Sequence, residues 1–258
     1  MNRRLSIVTA CYNDSENFVS TMASLRGEME PSDEILIIDS SADSGLIRRL
    51  AGDAGLPCSY RYIWMPPAGI YPAQNRGIYE SAGEWIQVVN SGDRLCSGAR
   101  NAIAGALSAF PDVKVHVFRG RAIAPNVKPY VFSPTARSVW PHQSIITHKS
   151  VYELEGLYPE EYRLCAEQMY FAKVRRTQQW MLHTAVLSEY LLGGLSSSIR
   201  YPQLRDAYVV SRTLGQSAVR GMLGAFVLPI ARKSLEYVFG LNFVNKLKCS
   251  FFSYYSRE

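Results

Sequence analysis

Short apolar runs alternate with amphipathic stretches through the first hundred or so residues. The predicted strands cover residues 5–10, 34–39, 59–64 and 85–89. The predicted helices cover residues 15–26, 45–54 and 71–81, and Gly83 is expected to end the last of them. A repeat of strand and helix every 20 to 25 residues or so is typical of βαβ units. The pattern therefore predicts an α/β fold with a mostly parallel central sheet flanked by helices.

The pattern is less regular beyond this point. Further helices are predicted at 99–110, 149–155 and 164–176, and further strands at 113–119, 144–147 and 180–187. A loop is expected between 120 and 137 because it is rich in proline and arginine (Pro125, Pro129, Pro134 and Arg137). We expect residues 1–198 to form one domain and 199–258 a helical C-terminal extension.

Polar residues follow the predicted strands. Asp39 ends the second strand, the turn Asn90-Ser91-Gly92-Asp93 follows the fourth, and an Asx-rich loop follows the first. In an open α/β sheet these carboxyl ends border the ligand crevice. Acidic side chains gathered there favour a metal ion or a hydroxyl-rich ligand. The alternative is that they serve only as turn and capping residues, which is the interpretation we favour for Asp14 and Asp43.

The amino-acid composition limits the kinds of binding partner but does not identify one. The formal charge of +6 and a pI near 9.1 suit a partner that carries phosphate. Nucleic-acid binding would rest on this charge alone and is disfavoured. Five scattered cysteines without a C-x-x-C pair indicate reduced thiols rather than a zinc site or disulfides. Neither a signal peptide nor a membrane-spanning helix is expected.

The extension is basic and aromatic. Arginines and lysines alternate with Phe, Tyr and Leu residues, and an apolar run at 221–231 is too short to span a bilayer. Such a segment suits contact with an anionic membrane surface. The alternative is a helical subdomain that packs on the domain formed by residues 1–198 or on a second copy of the chain.

Six segments together carry a resemblance to a known family. They are L-S-I-V-T-A-C-Y-N-D (5–14), I-L-I-I-D-S-S (35–41), G-I-Y-P-A-Q-N-R-G-I (69–78), the run 83–93, P-H-Q-S from residue 141, and L-L-G-G-L-S (191–196). In order and spacing they resemble the inverting family 2 glycosyltransferases of polysaccharide assembly. That resemblance implies the nucleotide-diphospho-sugar transferase (GT-A) fold over residues 4–198.

The resemblance implies roles for residues of the nucleotide-sugar site. The positions that match the nucleotide-sugar site are Thr9, Tyr12, Asn13, Asp39, Arg76, Asn90, Ser91, Gly92 and Asp93. Asp39 resembles the acid that binds the nucleoside, and residues 90–93 occupy the D-x-D position. There Asp93 is expected to bind Mg²⁺ or Mn²⁺, an oxygen-seeking ion that neutralises the departing diphosphate. Arg76 faces the diphosphate in this interpretation, or is simply a surface arginine on a helix.

The resemblance also implies an acceptor side. Glu167 matches the catalytic base, which removes the proton of the acceptor hydroxyl. Its alternative is a solvated glutamate favoured by the first turn of a helix. His142 and Gln143 match the acceptor pocket, although a buried histidine bonded to the backbone would fit the same position.

The chain departs from the family pattern where carboxylates are expected. Gly92 replaces the middle acid of D-x-D, Asn90 is neutral, and Pro72 and Pro67 stand where acids are common. These changes predict a weakly bound metal.

The expected function is transfer of a sugar from a nucleotide sugar to a hydroxyl group of a glycan acceptor. The resemblance implies a UDP-sugar as the donor. It also implies a lipid-linked acceptor in the assembly of a bacterial surface polysaccharide. The expected location is the cytoplasmic face of the cell membrane. A homodimer is one of the oligomeric states that the sequence allows. A catalytically inactive binding subunit is the alternative. A nucleotidyltransferase of the same fold is a weaker alternative, because residues 10–14 lack the glycines and basic side chains that bind a triphosphate.

Overall fold

The computed structural model describes residues 4–124, 127–136, 138, 140–163, 165–191 and 201–213, together with residues 215, 217 and 223. In this part of the chain the strands are β1 (Leu5–Cys11), β2 (Glu34–Asp39), β3 (Ser59–Trp64), β4 (Trp85–Val88), β5 (Arg94–Leu95), β6 (Val115–Ala124), β7 (Val127–Phe132), β8 (Ile145–His148) and β9 (Trp180–Leu191). The helices are α1 (Ser15–Glu28), α2 (Ser44–Asp53), α3 (Ile70–Glu80), α4 (Ala99–Ala109), α5 (Lys149–Glu155), α6 (Ala166–Thr177) and α7 (Tyr201–Thr213). A 3₁₀ turn covers His142–Ser144.

The strands form one sheet in the order β3-β2-β1-β4-β8-β6-β9-β5, with β7 paired to β6. The first four strands are parallel, which confirms the expected α/β architecture. Strand β8 runs antiparallel to both of its neighbours, so the second half of the sheet is mixed.

The central strands are buried on both faces because helices cover both sides of the sheet. On one side Ile7 and Ile37 pack with Phe18 of α1 and Ile103 of α4. On the other side the cluster contains Val8 and Leu36 with residues of α3, α5 and α6. Strands buried on both faces are apolar without alternation, which is why the sequence pattern located them closely.

Helix α3 packs unusually close to the sheet. A Cβ atom placed on Gly77 would lie 2.2 Å from Cγ1 of Val8 and 3.2 Å from Cγ1 of Ile38. Only a glycine allows the helix backbone to come this near to β1 and β2.

Gly83 does not have the helix-ending role that the sequence suggested. Helix α3 ends at Glu80, and Ser81 has an extended backbone with φ −62° and ψ 133°. A Cβ atom on Gly83 would lie 2.5 Å from Oγ of Ser6 and 2.9 Å from the Arg4 carbonyl oxygen. The glycine is therefore needed for close approach to β1, and the capping prediction was wrong.

The loop expected at 120–137 is in part a hairpin, so that prediction was also wrong. Strand β6 continues to Ala124 and β7 returns along it. The register shifts between Ala122 and Ala124, and Pro129 falls in the stretch that this shift leaves out of the pairing. A proline without an amide N–H is tolerated at such an irregular edge.

The start of the C-terminal extension is helical. Helix α7 packs against α6, where the Arg176 guanidinium donates to the Thr213 carbonyl at 2.8 Å. In the loop before α6, the Arg163 amide donates to the Asp206 carboxylate of α7 at 3.1 Å. The proposed boundary at residue 198 and, except for Leu223, the apolar run 221–231 lie outside the described residues. Among the helices that the structure describes, none is long and apolar enough to cross a bilayer.

Candidate functional site

The loops after β1, β2 and β4 are hydrogen-bonded to one another. The Asn13 amide donates to Oγ of Ser41 at 2.8 Å, and the Asn13 side chain accepts from the Ala42 amide at 3.0 Å. Asn13 has φ +50°, a left-handed conformation that asparagine tolerates. Ser91 donates to the Asp14 carboxylate at 3.0 Å. The three loops therefore meet at one edge of the sheet, as the strand pattern indicated.

The two residues interpreted as helix caps behave differently. Asp43 accepts from the Leu46 amide at 3.1 Å and caps α2 as expected. Asp14 occupies the cap position of α1, but no backbone N–H of that helix donates to its side chain. The Asp14 carboxylate accepts from the side chains of Asn17 and Ser91 instead. Its side chain thus connects α1 to the turn that follows β4.

Asp39 is fully buried at the end of β2. One carboxylate oxygen accepts from the Tyr62 hydroxyl at 2.6 Å and the other from the Ser41 amide at 2.9 Å. Burial is the larger cause, and the Asp39 carboxylate the second, of a Tyr62 pKa well above its ordinary value. With both oxygens engaged by the protein, Asp39 orders the loop that follows β2.

Two exposed aromatic side chains flank this loop. Tyr12 is 58% exposed after β1, and Trp64 is 49% exposed at the end of β3. The Trp64 indole N–H donates to the Ser41 carbonyl at 3.1 Å, which fixes the ring at the rim of the crevice. The sequence analysis treated Trp64 only as a strand residue. An aromatic residue at the carboxyl end of a parallel strand was the feature that could have identified it.

Thr9 does not reach the crevice. It lies inside β1 with no exposed surface, and its hydroxyl has no hydrogen-bond partner among the described residues. Because Thr9 has no exposed surface, it lies away from the surface that a nucleotide sugar would contact. The structure therefore does not place Thr9 with the other predicted site residues.

The turn at residues 90–93 is ordered by α1. The Thr21 hydroxyl donates to the Asp93 carbonyl at 2.7 Å and accepts from the Gly92 amide at 3.0 Å. Gly92 has φ +96°, so a residue with a side chain would be strained there. This geometry accounts for the missing middle acid, because an aspartate at position 92 would not adopt this turn without cost.

A chain of polar side chains connects this turn to α3 and to the 3₁₀ turn. Gln74 donates to the Asn90 side-chain oxygen at 3.0 Å, and the Asn90 amide nitrogen lies 3.1 Å from Nε2 of His142. His142 in turn interacts electrostatically with the Asp93 carboxylate. Gln74 was missed by the sequence analysis. Nothing in its helical spacing distinguishes a residue that faces the turn from an ordinary buried one.

Of the two predicted acceptor residues, only His142 joins this chain. Gln143 is buried, and its backbone carbonyl accepts from the Gln87 side chain at 2.7 Å. His142 therefore lies at the crevice, whereas Gln143 belongs to the wall behind it.

Glu167 is held by a tyrosine of α3. It lies half-buried in the first turn of α6, and the Tyr71 hydroxyl donates to its Oε2 atom. The neighbouring Gln168 side chain bonds both the amide and the carbonyl of Trp140, at 3.3 and 2.9 Å. The start of α6 is thus fixed, with one Glu167 oxygen engaged. Tyr71 is the second helix residue that the sequence analysis missed.

Arg76 lies apart from these groups. Its guanidinium pairs with Glu80 one turn along α3 at 2.8 Å, and the side chain is half-exposed. This placement favours a surface arginine over a ligand of the diphosphate.

Comparison with known proteins bears on the fold. No protein-family model and no curated protein matches the chain. Solved structures do. TarS 1–349 from S. aureus in complex with UDP-GlcNAc matches with a TM-score of 0.65 and 14% identity, over 92% of this chain and 73% of that one. A mannosyltransferase, PcManGT from Pyrobaculum calidifontis in complex with GDP-Man and Mn²⁺, matches with a TM-score of 0.58 and 12% identity, over 100% of this chain and 89% of that one.

The chain has the GT-A fold. A longer TarS chain matches with a TM-score of 0.62 and 13% identity over 84% of this chain, which spans only 41% of that one. The expectation drawn from the six segments is confirmed at the level of the fold.

A GT-A fold raises the question of a divalent ion at the 90–93 turn. Within the described part of the chain, no three His, Cys, Asp or Glu side chains converge as metal ligands. Asp93 offers a single carboxylate, and the Asn90 amide beside it is already engaged at both ends. One carboxylate fits an ion that takes its other ligands from substrate phosphate and water. It does not fit an ion bound by protein side chains alone.

Burial disfavours the charged form of the Asp93 side chain. Burial of its carboxyl group raises its pKa to about 6, and the nearby His142 lowers it only in part. His142 and a hydrogen bond from the Asn90 backbone compensate only part of this lost hydration, so the anion is destabilised. A divalent ion at the turn would supply the remaining compensation.

We therefore expect Asp93→Asn to stabilise the metal-free protein at about pH 8, by roughly 1–2 kcal/mol after allowance for partial exposure. The protonated acid contributes stability that is complete below about pH 4 and is lost as the pH rises through about 6. The gain should therefore shrink towards acidic pH. Urea unfolding in EDTA across this range tests the prediction, with exposed Asp112→Asn as the control. A gain independent of pH would contradict this cause.

Proposed function

We propose that this chain is an inverting glycosyltransferase of the family 2 type, which moves a sugar from a nucleotide-diphosphate sugar to a hydroxyl group of a glycan acceptor. One observation carries the proposal. Helix α3 bonds the Asn90–Asp93 turn through Gln74 and bonds Glu167 through Tyr71. These two helix residues are three positions apart and so share one face. The turn that carries Asp93 and the partly free carboxylate of Glu167 are therefore both bonded to one face of the same helix.

The donor would bind at the edge where the strands β1, β2 and β4 end. Tyr12 and Trp64 offer exposed rings for a nucleobase, and Asp93 would bind the cation that compensates the charge of the diphosphate. Mg²⁺ or Mn²⁺ shared with the phosphates would neutralise charge on the leaving diphosphate. The complexes of the neighbours with UDP-GlcNAc and GDP-Man support a nucleotide sugar as donor. UDP is the proposed nucleotide, by family resemblance.

The transfer would need one general base and no enzyme nucleophile. Glu167 would take the proton of the acceptor hydroxyl as its oxygen attacks the anomeric carbon. The bond from that carbon to the diphosphate oxygen breaks at the same time, and its electron pair leaves with the nucleotide diphosphate. Attack from the face opposite the leaving group inverts the anomeric centre. His142, bonded to Asn90, would border the acceptor side.

The proposed setting is assembly of a bacterial surface polysaccharide (O-antigen, capsule or exopolysaccharide) on a lipid-linked acceptor at the cytoplasmic face of the membrane. The excess of basic and aromatic residues in 199–258 supports contact with an anionic surface. Flotation of the full chain with anionic liposomes, compared with a chain that ends at residue 215, tests this contact. Equal flotation would remove the membrane proposal.

A binding subunit without turnover is the second candidate. Two observations favour it: Gly92 leaves one carboxylate at the turn, and Asp39 is closed off by Tyr62 and Ser41. Such a subunit would bind a nucleotide sugar without releasing the nucleotide.

The deciding experiment is nucleotide release from a panel of nucleotide sugars with Mn²⁺, with Mg²⁺ and with EDTA, alongside thermal shift. Release from one donor that is lost in Asp93→Ala would support a metal-assisted transferase. Binding with no release, even when glycan acceptors are added, would favour the binding subunit. Binding to none of the donors would overturn both.

We expect Trp64→Ala to weaken binding of the donor nucleotide by roughly 5- to 100-fold, because stacking of a base on an aromatic ring contributes about 1–3 kcal/mol. Titration calorimetry with the donor nucleotide measures the change. Tyr60→Ala is the matched control, since Tyr60 is an exposed aromatic residue of the same strand away from its carboxyl end. An unchanged dissociation constant for Trp64→Ala would place the base elsewhere.

A further inference from the structure

Helix α3 contacts three parts of the candidate site within five residues. Tyr71 bonds Glu167, Gln74 bonds Asn90, and Asn75 exchanges hydrogen bonds with the backbone of Tyr158 at 2.9 and 3.0 Å. The last pair fixes the loop that precedes α6. Since Gly77 holds the helix close against β1, α3 is a rigid support for the groups that it touches.

Tyr71 is buried where its hydroxyl remains a donor. The side chain is only 5% exposed, and its ring packs edge-on against Tyr158 with centroids 6.1 Å apart. Burial, followed by the negative charge of Glu167, raises the pKa of Tyr71 far above its ordinary value. The phenol therefore keeps its proton and remains a hydrogen-bond donor to Glu167.

The two oxygens of Glu167 have different surroundings. Oε2 accepts from Tyr71. Oε1 has the Gln168 amide 3.4 Å away, but that amide makes its shorter bond, 2.9 Å, to the Trp140 carbonyl. Oε1 is thus the less engaged oxygen and the one available to an incoming group.

We propose that Tyr71 is a positioning residue for Glu167: its hydroxyl binds Oε2 and thereby presents Oε1 to the acceptor hydroxyl. This inference rests on the proposed function, because Glu167 acts as the base there. Tyr71 itself touches no reacting atom. Without its hydroxyl the carboxylate is free to rotate, and misplacement of a catalytic group by about 1 Å costs roughly 100-fold in rate.

Tyr71→Phe tests the inference because it removes the hydroxyl and keeps the packed ring. We expect kcat to fall by about 10- to 100-fold, with the KM of the donor nearly unchanged and the melting temperature lowered only by the loss of one hydrogen bond. The matched control is Tyr79→Phe on the same helix, whose side chain is 75% exposed and should leave all three values unchanged. If Tyr71→Phe turns over like the wild type while Glu167→Gln is inactive, the inference is overturned and the proposed function stands.

Absence of turnover with every donor would count against the proposed function. A second measurement tests the contact between Tyr71 and Glu167 even in that case. Melting temperatures of Tyr71→Phe, Glu167→Ala and the double variant form a cycle. If the two residues are coupled, the double variant loses less than the sum of the single losses. Additive losses would show that the phenol does not hold the carboxylate, and would overturn the inference.

Discussion

Glu167→Gln should lower sugar transfer by about 10³-fold or more while leaving the affinity for the donor unchanged, since a general base contributes roughly 10²–10⁴-fold. Glutamine has the same shape and still accepts the hydrogen bond from Tyr71, so the local structure should be kept. What it loses is the ability to take a proton. Steady-state transfer rates together with donor titration separate these two effects.

Glu161→Gln is the control for this variant, because Glu161 is exposed on the loop that precedes α6. It should behave as the wild type does. Retention of turnover by Glu167→Gln would mean that another group removes the proton. The comparison also separates the enzyme from the binding subunit, because only an enzyme has turnover to lose.

Gly77→Ala should destabilise the protein by about 3 kcal/mol, because overpacking of a tight core costs more than the ~1 kcal/mol that alanine gains in a helix. The new methyl group would lie 2.2 Å from Cγ1 of Val8. Val8 is fully buried and its strand is paired on both sides, to Leu36 and to Val88, so it has little room to move. Urea unfolding measures the loss.

Gly105→Ala is the matched control. Gly105 also lies within a helix, α4, but a Cβ atom there would meet no atom within 4 Å. This variant should gain about 0.5–1 kcal/mol. Val8→Ala combined with Gly77→Ala should recover part of the stability, since it removes the atom in conflict. A Gly77→Ala protein as stable as the wild type would show that α3 does not pack so closely on β1.

The first half of the fold was predictable from the sequence. Strands β1 to β4 were located to within one residue at each end. For β1, β2 and β4 the reason is that strands covered by helices on both faces are continuous apolar runs between polar loops. Strand β3 is largely exposed and was located by its aromatic and β-branched residues. The second half was harder. The two-residue strand β5 carries too little pattern, and the proline in β7 argued against the hairpin.

The site divides in the same way. Residues at strand ends, such as Asp39 and Asp93, follow from the rule that carboxyl ends of parallel strands share an edge. Glu167 came from the family resemblance. Tyr71 and Gln74 could not be found, because their partners depend on how α3 is rotated against the sheet. That rotation is fixed by packing at Gly77 and not by helical periodicity.

The position of α3 limits how this protein can change during evolution. Each residue of an α-helix advances the chain by about 1.5 Å and turns it by about 100°. An insertion between Tyr71 and Gln74 would therefore turn one of them away from its partner and uncouple Glu167 from the Asn90–Asp93 turn. The loops after β1 and β2 bond each other through Asn13 and Ser41, but they are not held to a helical spacing. Relatives that use other donors should differ in those loops and keep the three-residue spacing on α3.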